Sequence, residues 1–72
     1  MLYKTIVLEL LEQSPQYENL RQNRTLLATT EAYAAELKVS HEQLLMTHSP
    51  EAASELAIKE MEERLLGTSQ PA

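Results

Sequence analysis

Two Ser-Pro pairs and one glycine divide this chain more sharply than any other feature. Ser14-Pro15 and Ser49-Pro50 each read as a capping serine followed by proline at the first helical position, where the missing N–H costs nothing. Gly67, the only glycine, follows Leu65-Leu66 where a left-handed residue would end a helix. These marks leave three segments, 1–13, 15–47 and 50–66, with residues 68–72 expected as a flexible tail.

The first segment has helical periodicity. Leu2, Tyr3, Ile6, Val7, Leu10 and Leu11 fill one half of a helical wheel, and Lys4, Thr5, Glu9 and Glu12 fill the other. A strand over Tyr3 to Leu8 competes, but the adjacent pairs Ile6-Val7 and Leu10-Leu11 fit a helix better and no turn signal follows. Leu8 stands alone on the polar side, where an isolated exposed leucine is ordinary and a second contact surface is the functional alternative.

The second segment, as one helix, would span about 50 Å. Leu20, Leu27, Ala34 and His41 recur at heptad spacing, and Asn23, Thr30, Leu37 and Leu44 occupy the register three residues on. Leu26, Tyr33 and Leu45 flank this seam. The pattern is that of a coiled coil carrying polar residues. Asn23, Thr30 and His41 either set register and partner choice or mark a bend that turns them to water. A break near Ala28-Thr29-Thr30 competes with a continuous helix, because a threonine before Glu31 can cap a fresh one. In the third segment Ala53, Ala57, Ile58, Met61 and Leu65 share one face, opposite Glu55, Lys59, Glu62 and Glu63. Glu55–Lys59 and Glu60–Arg64 are spaced for ion pairing along the helix.

Composition then argues for association. A chain of 72 residues without cysteine, tryptophan or phenylalanine must build its core from aliphatic side chains and three tyrosines. Ordering such a chain costs on the order of 100 kcal/mol, which aliphatic burial in one copy barely offsets. Burying more surface against a second copy is the cheapest remedy. The residues expected at that interface are Leu20, Leu27, Leu37, His41 and Leu44, with Leu2, Ile6 and Leu10 covering them.

The charge pattern and the motifs exclude most other functions. Residues 1–30 are balanced, whereas 31–72 hold eight glutamates against Lys38, Lys59 and Arg64, giving a net charge of −5. Such a balance disfavours nucleic acid and anionic membrane. No apolar run is long enough to span a bilayer, and the N-terminus lacks a cleavable signal pattern, so a cytoplasmic protein is expected. His41-Glu42 starts like a zinc-protease motif, but Leu45 stands where the second histidine belongs. His41 and His48 lie about 10 Å apart along a helix, too far to share a zinc ion within that helix, and only histidines of two chains at a symmetric seam could still meet. No glutamate precedes a histidine by three residues as di-iron bundles require. Ser40 and His41 are neighbours whose side chains diverge on a helix, and a single glycine makes no phosphate loop. The sequence therefore predicts neither enzyme nor cofactor nor metal.

Arg21 and Arg24, beside Tyr17, form the only basic cluster. They are either a contact for phosphate, carboxylate or RNA, or a solvated face with Glu18 placed to pair with Arg21. The expectation is thus an all-α, three-helix protein with a long central helix, paired into a dimeric helical bundle. It would serve protein–protein interaction as an adaptor, assembly factor or regulator. A nucleic-acid-binding regulator using Arg21 and Arg24, and a chaperone or antitoxin-like partner of another protein, are the alternatives.

Overall fold

The computed structural model describes residues 2–67; the tail expected over residues 68–72 lies outside them. The described residues form four helices and no strand: α1 (Tyr3–Gln13), α2 (Tyr17–Gln22), α3 (Leu26–Leu44) and α4 (Pro50–Leu66). The all-α expectation holds. α1, α3 and α4 pack against one another, and short α2 lies against α1 and α3.

The first Ser-Pro pair acts differently from the expectation. Ser14 ends α1 instead of starting the next helix. Its N–H and its hydroxyl both donate to the Leu11 carbonyl, each at 3.0 Å, and the side chain is buried. The reason is Pro15, whose ring pushes the preceding residue into extended backbone (ψ 154° at Ser14) and so stops the helix there. A turn from the Tyr17 N–H to the Ser14 carbonyl (3.3 Å) then delays α2 to Tyr17.

The expected single helix over 15–47 is two helices, and the break falls at Asn23-Arg24-Thr25, upstream of the threonines at 29 and 30. Arg24 adopts left-handed backbone, φ 59°. The Arg24 N–H bonds to the Arg21 carbonyl at 3.1 Å and the Thr25 N–H reaches back to Leu20 at 2.9 Å. This is the paired closure that usually ends a helix at glycine. Here arginine occupies the position, so nothing in the residue types announces the stop.

The second Ser-Pro pair behaves as expected. Ser49 Oγ accepts the Ala52 N–H at 3.3 Å, and Pro50 opens α4. Gly67, at φ 62°, closes α4 with its N–H on the Glu63 carbonyl. Ala53, Ala57, Met61 and Leu65 are buried as predicted, while Ile58 is half-buried. Arg64 pairs not with Glu60 but across the helices with Glu36 of α3, its guanidinium 5.6 Å from the Tyr33 ring centre.

The core consists of Val7, Leu10 and Leu11 from α1, Ala34 and Leu37 from α3, and Ala57, Met61 and Leu65 from α4. Tyr17 and Leu20 of α2 pack at its edge. α1 and α4 thus cover part of the heptad seam, from Thr30 to Leu44, within the chain. At the break and in the first turn of α3 the seam is uncovered: Asn23 and Leu27 are exposed.

Candidate interaction surface

The residues expected at an oligomer interface separate into three groups. Leu10 and Leu37 are buried in the chain's own core. Ile6, Leu20, His41 and Leu44 are half-buried at its margin. Leu2 and Leu27 stay in solvent, 73% and 69% exposed.

Leu2 and Leu27 border two hollows of a groove between α1 and α3. One hollow of about 410 Å³ is lined by Leu2, Lys4, Glu31, Ala35 and Lys38 among others. The next, of about 270 Å³, is lined by Lys4, Leu8, Leu26, Leu27 and Thr30. Lys4 and Thr5 line both, so the hollows adjoin at these residues. Lys4 Nζ reaches Glu31 Oε2 across the groove at 3.6 Å, with both groups well exposed. Thr30 is buried, and its hydroxyl has no hydrogen-bond partner among the described residues. Leu8, alone on the polar side of the α1 wheel, is a half-buried wall of this groove. The roles of Lys4, Glu31 and Lys38 were not legible in the sequence, because they arise only when α1 lies along α3.

His41 sits elsewhere, where three helices meet. Its Nδ1 is 2.9 Å from the Tyr3 hydroxyl of α1, and its Nε2 is 3.2 Å from the Ser54 hydroxyl of α4. The Tyr3 and His41 rings meet edge to face, centres 5.9 Å apart. Hydroxyls donate or accept, so either imidazole tautomer satisfies both nitrogens. Serine, histidine and tyrosine follow the order of nucleophile, base and orienting group. Among the described residues the arrangement goes no further than these three side chains. Ser54 lies inside α4, whose amides are taken up in the helix, so they offer no oxyanion donors. A neutral tyrosine hydroxyl does not counter an imidazolium as a carboxylate does. Neither hollow is lined by Ser54. What these bonds do is tie α1, α3 and α4 together. The sequence places Ser40 beside His41, but the serine that reaches the ring comes from the next helix.

Arg21 is engaged within its own helix, 3.1 Å from Glu18 Oε2 and 5.9 Å from the Tyr17 ring centre. Arg24 is exposed at the left-handed turn. His48 lies exposed at the α3–α4 turn with its Nδ1 2.8 Å from the Thr47 hydroxyl. Among the described residues no three His, Asp or Glu side chains converge as a metal site would need, and no helix is long and apolar enough to cross a membrane. Comparison with protein-family models, with curated proteins and with solved structures finds no match.

Proposed function

We propose that this chain is a non-enzymatic protein–protein interaction module acting as a helical homo-oligomer, in the role of an adaptor, assembly factor or regulator. The observation that carries the reading is the exposure of Leu2 and Leu27 at the rim of one apolar groove between α1 and α3. Single exposed leucines are ordinary, but two that border adjoining apolar hollows on one side of the molecule support a contact surface. The energetics point the same way. Of the nine buried hydrophobic residues among those described three are alanines, so the core of one copy is thin. Covering the groove adds the apolar burial that a chain this short otherwise lacks.

Solution mass, by light scattering coupled to size exclusion at two protein concentrations, tests the proposal. A dimer or larger species is expected. A folded monomer at both concentrations would remove the self-association and leave the groove to a segment of another protein.

A further inference from the structure

Glu31 and Lys38 line the same hollow and lie seven residues apart on α3, two turns along one face. A two-fold axis perpendicular to α3, passing between them, sets each glutamate opposite the lysine of the other copy. Contacts of that kind, residue i on j and j on i, are what an isologous interface requires. A parallel pairing of α3 helices would instead oppose glutamate with glutamate and lysine with lysine. The leucines obey the same symmetry. Because Tyr3 reaches His41 while Leu8 lines the hollow with Leu26, α1 runs antiparallel to α3 and Leu2 lies beside the Lys38 end of the groove. Leu27 rims the opposite end. The axis that exchanges Glu31 with Lys38 brings each Leu2 toward the other copy's Leu27, so each exposed leucine meets a hollow rimmed by another.

We infer that the α1–α3 groove is self-complementary and takes a second copy of this chain in antiparallel two-fold register, Leu2 packing on the partner's Leu27 and Glu31 pairing with the partner's Lys38. The inference rests on the homo-oligomer reading and adds the face, the orientation and the charge register. Lys4, 3.6 Å from Glu31, holds that carboxylate over the groove. In the dimer Glu31 lies between its own Lys4 and the partner's Lys38.

The absence of cysteine makes the test direct, because every introduced thiol is the only one in its chain. Leu2→Cys and Leu27→Cys alter exposed positions, and circular dichroism checks that each variant folds. Under mild oxidation a mixture of the two is expected to give the cross-linked heterodimer. Leu27→Cys alone is expected to give none, since the two copies of residue 27 lie at opposite ends of the shared face, far beyond the ~7 Å Cα separation a disulfide tolerates. Glu31→Lys and Lys38→Glu are each expected to weaken dimerisation about tenfold, and the double exchange to restore it to within about threefold. The double variant still sets a second cation beside Lys4 within each copy, so its rescue reports the contact between copies. A wild-type dimer that cross-links through Leu27→Cys alone, or whose charge exchange gives no rescue, overturns the antiparallel groove and leaves the homo-oligomer standing. A wild-type chain that stays monomeric up to about 1 mM, the edge of weak association, overturns both.

Discussion

The Tyr3 hydroxyl lies 2.9 Å from Nδ1 of His41, a residue 38 positions further along the chain, and this bond ties the start of α1 to the C-terminal half of α3. On its other side the ring meets Ser54, so one imidazole joins three helices. Tyr3→Phe keeps the edge-to-face ring contact and deletes only the hydrogen bond, with an expected loss of about 1 kcal/mol of stability in urea denaturation. Tyr3→Phe combined with Ser54→Ala leaves both ring nitrogens without their hydroxyl partners. That pair should lose more than the sum of the single losses, because the first deletion leaves the ring one partner and the second leaves none. Strict additivity would mean that His41 does not act as a shared junction.

Arg24 holds a backbone conformation that favours glycine. Arg24→Gly is expected to stabilise the fold by about 1 kcal/mol, raising the melting temperature by roughly 5 °C in a domain of this size. Gly67→Ala, at a left-handed position with open space around it, should move stability the other way by about the same amount. An unchanged or lowered melting temperature for Arg24→Gly would show that the side chain contributes more than its backbone strain costs.

Thr30 carries a buried hydroxyl without a partner among the described residues. Thr30→Val replaces it with a methyl of nearly the same shape and is expected to be neutral or to stabilise by up to about 1 kcal/mol. Thr30→Ala removes the buried methyl as well and should destabilise by about 1 kcal/mol. Chemical denaturation of both variants checks the opposite signs. Destabilisation by valine would reveal a bond made by that hydroxyl.

Leu27 and Leu37 both belong to the heptad seam of the second segment, yet their expected effects differ in kind. Leu37 is fully buried, so Leu37→Ala should cost about 2–5 kcal/mol. A chain of this length has only about 4–11 kcal/mol to lose, so much of the variant would unfold. Leu27→Ala, at an exposed site, should change the stability of one copy by less than about 0.5 kcal/mol while weakening self-association. Circular dichroism at low concentration reads the first effect and size-exclusion mass the second.

Much of the architecture was legible along the chain because it rests on local chemistry. Ser49 and Pro50 start α4, Gly67 ends it, and the four-residue spacing of Ala53, Ala57, Met61 and Leu65 names its buried face. The helical character of α1 followed from Val7, Leu10 and Leu11 in the same way. These signals lie within a turn or two of the backbone they govern, so residue type and spacing alone determined them. The break at Arg24 did not follow, because a left-handed stop occupied by arginine has no compositional mark and reflects the packing of α2 and α3 around it. Nor did the choice of seam residues that would be covered. Leu27 and Leu37 share a repeat in the sequence, and only the docking of α1 and α4 on α3 buries one and leaves the other at a groove. The bonds from His41 to Tyr3 and Ser54, and the Lys4–Glu31 pair across that groove, join residues far apart in sequence. Tertiary structure alone decided them, since side chains from separate helices meet only after the helices have packed.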